Sequence, residues 1–365
     1  MKTYLISILL LANCLGCKED ATQPIVTNNP LTSSLDQTVH STVEKYASAS
    51  STGGFVIGIF RNDSTFIYRY GHSNKETHQL PDENTIFEIG SISKTFTAAL
   101  MTDFTASRQI NLEEPASKFL PLSFLEKNGI QVKLKDLLNH SSGLPRLPDD
   151  LANGANTQEP YKHYDSTKVY VYLKNKPLKN TPETVFEYSN LAFGVAGLIL
   201  ERNTGKSYEQ LVEEKIAISL GMKDTKITLS EDEKLRFAKG YDAKGKPVAY
   251  WNDLNGFKGA GALRSTVKDL LVYAQANINP GNNTIGKSFA FCHQITSTLD
   301  DKKVGLAWFE LTINGHAVYV HDGGTGGFTS FILFSKEKKR ALVLLANNST
   351  ENLSSVIDRL SKSVF

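Results

Sequence analysis

The sequence predicts an α/β fold: an antiparallel sheet built from both chain ends and flanked by helices, plus a mostly helical lobe. Three observations carry this prediction. Strand-like alternation is confined to the two ends of the chain, while the long middle is helical and loop-rich. The N- and C-terminal strands must therefore share one sheet, with the helical middle folded as a second lobe. At 365 residues and 40% hydrophobic content, the chain buries a core that needs no disulfide or metal staple.

The elements follow in chain order. Met1-Lys2 precedes an apolar run from Tyr4 to Leu15. This run is shorter than the roughly 20 residues a bilayer span takes, and it reads as an export signal over residues 1–16. Leu15-Gly16-Cys17 resembles a bacterial lipobox, with Cys14 where Leu usually stands. That resemblance implies lipid on Cys17, a tether over residues 17–31 containing Pro24 and Pro30, and attachment to a bacterial cell envelope, periplasmic or surface-exposed. The lipid would be the only membrane contact; a plain secretory signal would instead release the protein. The folded domain then spans 32–365, with an α/β lobe at about 32–105 and 300–365 and a helical lobe at about 106–299.

Within that domain, Ser34 to Ala49 has helical spacing. Phe55 to Phe60 and Thr65 to Tyr70 form a hairpin around Arg61-Asn62-Asp63-Ser64. Phe87-Glu88-Ile89-Gly90 leads into a helix over Ser91 to Ser107, where Phe96, Leu100, Met101 and Phe104 share one face. Ser207-Tyr208-Glu209-Gln210 has capping-box form, and Gly221 is placed to close that helix. Strands return at Ala317 to His321, Phe328 to Phe334 and Ala341 to Leu345, with a turn at Lys336 to Lys339 and a closing helix over Glu351 to Leu360.

Charge and cysteine content narrow the function. Forty Lys and Arg stand against 38 Asp and Glu, without the concentrated basic face that nucleic-acid binding needs. Three cysteines cannot build a disulfide scaffold, and Cys292, within Phe289-Ala290-Phe291-Cys292-His293, reads as a small buried hydrophobe. Trp251 and Trp308 read as core or cleft wall. The expected partner is a small-molecule or peptide substrate, with no cofactor and no metal.

The sequence has no G-x-S-x-G elbow and no H-E-x-x-H pair, which points to Ser/Lys chemistry instead. A Ser and a Lys three residues apart on a helix face the same way, so the amine can take the hydroxyl proton. If the Ser opens the helix, its N–H points outward and can stabilise an oxyanion. S-x-x-K occurs at Ser91/Lys94, Ser265/Lys268 and Ser335/Lys338. Only Ser91 combines a strand-like lead-in, a helix start and a strongly apolar following helix.

Phe87 to Thr97, read as Phe-Glu-Ile-Gly-Ser-Ile-Ser-Lys-Thr-Phe-Thr, resembles the first motif of the class C beta-lactamase family. That family also holds DD-peptidases, D-aminopeptidases and family VIII carboxylesterases. Leu137 to Pro145, Leu220 to Thr225 and Gly259 to Thr266 resemble further segments of it. Y-x-N occurs at Tyr188-Ser189-Asn190 and at Tyr250-Trp251-Asn252, but only the former precedes an apolar helix, Leu191 to Leu200. The third motif, K-T-G or H-x-G in the family, reads His321-Asp322-Gly323-Gly324 here. The resemblance runs from about residue 35 to the C-terminus and implies a beta-lactamase/transpeptidase-like fold.

It also implies a serine hydrolase working through a Ser91 acyl-enzyme. Lys94 and Tyr188 would share general-base duty, and Asn190 would bond Lys94 or the substrate. The backbone N–H groups of Ser91 and Gly324 would hold the oxyanion, with His321, Asp322 and Gly323 in supporting or substrate-binding positions. His140 is expected to be structural. Tyr and Lys ordinarily titrate near 10 and 10.4, so either must fall by about three, roughly 4 kcal/mol, to serve as a base at pH 7; which one does stays open.

Beta-lactamases of the family have Lys and a hydroxyl residue in the third motif, to hold the substrate carboxylate; His321 and Asp322 replace them. A mostly neutral His and an acid argue against efficient beta-lactam hydrolysis and against a strict DD-carboxypeptidase. Y-x-N with an H-x-G strand resembles the peptidase branch more than the esterase branch, and an acid near the cleft favours a substrate with a free amine. The alternatives are a class C-type beta-lactamase and a non-catalytic penicillin-binding or sensing lipoprotein.

Overall fold

A computed structural model describes residues 24–49, 51–122, 125–252, 254–349 and 353–365. The expected signal at 1–16, Cys17 and the first part of the expected tether lie outside the described residues. The rest of the tether, 24–31, lies along the domain: Thr27 bridges to Tyr70, and the Asn29 amide donates to the Tyr70 hydroxyl at 2.8 Å.

Seven strands form one antiparallel sheet in the order β2-β1-β7-β6-β5-β4-β3. They are β1 (Gly54–Arg61), β2 (Ser64–Gly71), β3 (Lys303–Val304), β4 (Phe309–Ile313), β5 (His316–Gly324), β6 (Thr329–Ser335) and β7 (Arg340–Ala346). β1 lies directly against β7, with Phe55 opposite Ala346 and Phe60 opposite Ala341, so both chain ends do share one sheet. The β1–β2 turn carries Asn62 and Asp63 at φ 52° and 55°, the positive-φ pair that suits a right-twisted hairpin.

Two strands, β3 at the sheet edge and β4 beside it, go beyond the expected set. β4 is short and mostly uncovered, so its alternation is weak. It turns into β5 at Asn314-Gly315, both with positive φ, a two-residue hairpin signal. β5 itself extends to Gly324, which puts His321, Asp322 and Gly323 inside a strand.

Each face of the sheet carries a helical layer. α1 (Ser34–Ala47) is opened by a capping box of Ser33 and Asp36. With α7 (Leu353–Val364) it covers Phe55, Ile57, Ile59, Leu342 and Leu344. The alternate residues Val56, Val343 and Leu345 face the larger core on the other side. That side carries α5 (Val267–Ile278) against β1, β6 and β7, and α6 (Thr284–Cys292) against α2 (Ser93–Ser107). The helical lobe expected to reach residue 299 therefore ends before α5, because this helix buries its apolar face on the sheet. Gly58 of β1 permits the approach: a Cβ there would meet Leu271 and Val267 at 2.7 Å.

The remaining long helices are α3 (Ser166–Asn175) and α4 (Asn190–Thr204). α4 starts on a Ser189 cap and ends at left-handed Gly205. The Ser207 capping box and the Gly221 stop hold as expected, but a wide turn over Glu213–Ala217 interrupts the helix between them. Trp308 and Cys292 are both core residues; burial pushes the Cys292 thiol up to about 12.

Candidate active site

Ser91 sits in a single 3₁₀ turn, Gly90–Ile92, which feeds directly into α2. Phe87 and Glu88 pair with Ser265 and Arg264, and Ile89 N–H donates to Leu263. Gly90 then turns the chain at φ 46°, packed so closely on Gly324 that a Cβ would stand 2.8 Å from its nitrogen. The first N–H groups of such a turn have no intrahelical acceptor. On the strand side, a Cβ at Gly323 would lie 2.2 Å from the Ile89 oxygen and 2.8 Å from the Ser91 nitrogen. Ser330 Oγ donates to that Ile89 oxygen at 2.8 Å, which clamps the end of β5 to the Ser91 turn.

Lys94, one turn into the helix, is fully buried. Its Nζ lies 2.8 Å from Ser91 Oγ and donates to the Ala260 carbonyl at 2.7 Å. It also stands 5.0 Å from the Tyr188 ring centre and 5.6 Å from that of Phe193. Burial, reinforced by the Arg146 charge and opposed by Asp322, holds the amine well below the ordinary lysine range. The half-buried Tyr188 moves the other way. Burial first and Asp322 second raise its phenol, against the Ser91 hydroxyl and Arg146.

Of the two partners expected for Asn190, Lys94 or the substrate, the first is absent among the described residues: Lys94 Nζ bonds Ser91 and the Ala260 carbonyl. Asn190 N–H donates to the Arg146 carbonyl at 2.9 Å. Its Oδ1 is buried without a partner among the described residues.

On β5, His321 is buried and its Nδ1 lies 2.6 Å from the Asp322 carbonyl, so the proton sits on Nδ1 and Nε2 is a bare acceptor. Burial, with Lys94 adding to it, lowers the ring to about 3, which keeps it neutral. The Asp322 carboxyl is raised by burial, while Lys94 and Arg146 pull it back.

His140 and Arg146 stand beside these residues. His140 is buried at φ 65°; its Nδ1 accepts from Ser189 N–H at 3.1 Å and its ring stacks on Tyr188 at 4.4 Å. The imidazole thus links the 139–146 loop to the Tyr188 segment. Arg146 places its guanidinium 4.9 Å over the Tyr188 ring. It lies one residue beyond the Leu137–Pro145 segment and is the only cation between 137 and 150, a signal legible in the sequence. Tyr161 and the half-buried Trp251, 5.3 Å apart edge to face, form an aromatic wall.

The competing motifs are explained by their surroundings. Ser265 Oγ bonds Thr225 at 2.8 Å while Lys268 points to solvent. Ser335 Oγ is tied to the Ala317 carbonyl and the Lys338 N–H. Tyr250 stacks on Phe237, and Asn252 accepts from Arg264.

A hydroxyl against a buried amine whose pKa is held down, at a helix start, is an arrangement suited to acyl transfer. A family model described as Beta-lactamase matches residues 38–362. The chain belongs to the beta-lactamase family. This beta-lactamase-family serine hydrolase is 27% identical over 351 residues to a beta-lactamase of Pseudomonas fluorescens, covering 87% of this chain and 95% of that one. It superposes on a class C beta-lactamase structure with TM-score 0.79, at 26% identity over 93% of this chain and 98% of the other. A beta-lactamase/D-alanine carboxypeptidase from Pseudomonas syringae shares the fold at TM-score 0.78, with 23% identity over 91% and 98% of the two chains.

Proposed function

We propose that this protein cleaves an amide, peptide or ester bond through an acyl-enzyme on Ser91, with a peptidase-like D-amino-acid substrate favoured over a carboxylic ester. The observation that carries the proposal is Lys94 Nζ, buried and shifted toward neutrality 2.8 Å from Ser91 Oγ. A neutral Lys94 accepts the Ser91 proton as Oγ attacks the carbonyl, and the carbonyl π electrons move to oxygen. The oxyanion faces the N–H groups of Ser91 and Gly324. When the tetrahedral species collapses, the C–N bond breaks and the leaving nitrogen takes a proton from the Lys94–Tyr188 pair. Water then attacks the acyl-enzyme, giving its proton to the same pair, and Ser91 leaves protonated. The opposite shifts of the two groups favour Lys94 as base and Tyr188 as neutral relay.

His321 and Asp322 support a peptidase-like activity over a beta-lactamase one. A buried neutral imidazole and a neighbouring carboxyl offer no cationic anchor on β5 for a substrate carboxylate. The names of the relatives favour the second reading, a class C-type beta-lactamase. A lipid on Cys17, at the cell envelope, is the localisation we propose with this activity.

The test is a panel of D-Ala anilides, D-Ala-D-Ala peptides, p-nitrophenyl esters and nitrocefin on wild type and Ser91→Ala. We expect turnover of D-amino-acid amides that Ser91→Ala abolishes, with slow nitrocefin hydrolysis. Fast nitrocefin turnover lost in Ser91→Ala would establish the beta-lactamase instead. No adduct with either a fluorophosphonate or a fluorescent penicillin would leave a non-catalytic binding module.

A further inference from the structure

Arg146 is a cation set at the mouth of the cleft. It is exposed, and among the described residues no carboxylate lies within ion-pair distance of it and no hydrogen bond holds its guanidinium. The backbone beneath it is firmly placed. Its carbonyl accepts from Asn190 N–H at 2.9 Å and Leu191 N–H at 3.2 Å, the first residues of α4. The guanidinium lies over Tyr188, and its charge reaches Lys94, His140, Tyr161 and Asp322. A guanidinium resting on an aromatic face keeps its N–H edge free, and that edge matches a carboxylate in a two-point fork.

The cleft is therefore polarised. The wall carrying the third motif offers the neutral His321 and the acid Asp322, whereas the 139–146 loop offers one unneutralised cation. We propose that Arg146 is the specificity-determining residue of this hydrolase and binds a carboxylate on the acyl portion of the substrate. The inference rests on the Ser91 acyl-enzyme described above. It moves the anion-recognising charge from the strand to the loop, so that a substrate is selected by an acid on the acyl group retained by Ser91.

The experiment compares two activated esters that differ in one charge, p-nitrophenyl hydrogen glutarate and p-nitrophenyl methyl glutarate. Wild type, Arg146→Gln, Arg146→Lys and Arg146→Glu are assayed at low ionic strength and at pH 9, where loss of the Arg146 charge perturbs Lys94 protonation least. A charge-assisted bond implies a wild-type kcat/KM preference for the acid ester of about tenfold to a hundredfold, carried mainly in KM. The preference falls to about one in Arg146→Gln and inverts in Arg146→Glu. Arg146→Lys, which keeps the charge and loses the fork, retains only part of it. No preference in wild type, or a preference that survives in Arg146→Gln, overturns the proposal. Fluorophosphonate labelling of Ser91 separates the two levels. Labelling and ester turnover without charge preference refute the role of Arg146 alone; absence of both from wild type removes the acyl-enzyme and this inference with it.

Discussion

Replacing Gly323 by Ala probes the contact on which the oxyanion site depends. The added methyl carbon would stand 2.2 Å from the Ile89 oxygen, 2.5 Å from Ser330 Oγ and 2.8 Å from the Ser91 nitrogen. Close carbon–oxygen approaches are about 3.3 Å, so β5 and the Ser91 turn must part by about 1 Å. None of the three obstacles is the tip of a long flexible side chain, and Ser330 Oγ already fastens the two elements together. A 1 Å misplacement of reacting groups costs about a hundredfold, and loss of one oxyanion donor about a hundred- to a thousandfold. Gly323→Ala should therefore lower kcat on a p-nitrophenyl ester at least a hundredfold with a smaller change in KM. The overpacking should reduce unfolding free energy by about 1–3 kcal/mol in urea. Gly281→Ala, in an exposed loop where the nearest atom to the new Cβ lies at 3.6 Å, is the matched control and should leave kcat unchanged. A Gly323→Ala enzyme with kcat within threefold of wild type would show that the strand and the Ser91 turn do not form one oxyanion site.

Other perturbations have equally definite outcomes. Lys94 is held below its ordinary value, so between that lowered value and about 10.4 the unfolded chain binds a proton that the folded chain lacks. Stability consequently rises with pH through this window, and at pH 7 the amine is a burden on the fold. Lys94→Met should abolish Ser91 acylation yet raise Tm by about 1–3 °C in calorimetry; a lower Tm would contradict the assigned shift. His140→Phe leaves the Ser189 N–H buried without its acceptor, which should cost about 1–3 kcal/mol in chemical unfolding and slow fluorophosphonate labelling of Ser91. Gly58→Ala should destabilise by about 1–3 kcal/mol, because a Cβ meets Val267 and Leu271 at 2.7 Å, while kcat of the folded enzyme at 25 °C stays unchanged.

Much of the site was legible because its chemistry is local. Ser91 and Lys94 lie one helical turn apart, and the apolar helix after Tyr188-Ser189-Asn190 separates that triplet from its copy at 250–252. What escaped was relational. The 267–278 helix packs on the sheet rather than within the helical lobe, a partner that its own residues do not name. Strand β4 buries little, so its alternation is weak, although Asn314-Gly315 marks the turn behind it. The Asn190 partner depended on where the Ala260 carbonyl falls, far along the chain. Arg146 stands alone as a cation in its segment, but only the fold sets Tyr188 beneath it. The orientation question at 321 and 322 needed the strand pairing that sets His321 opposite Ile332 and Asp322 opposite Phe331.

The pairing of β1 with β7 also has a kinetic consequence. Phe55 meets Ala346 across nearly the whole chain, so the centre of the sheet cannot zip until its last strand has been synthesised. Contacts of such sequence separation close slowly, because the loop entropy is lost before the pairing rewards it. Every shorter nascent fragment lacks β7 and presents β1 as an open edge. The nucleophile turn is clamped by Ser330 of β6, the immediate neighbour of β7, so the Ser91 turn leans on the same late-made part of the sheet.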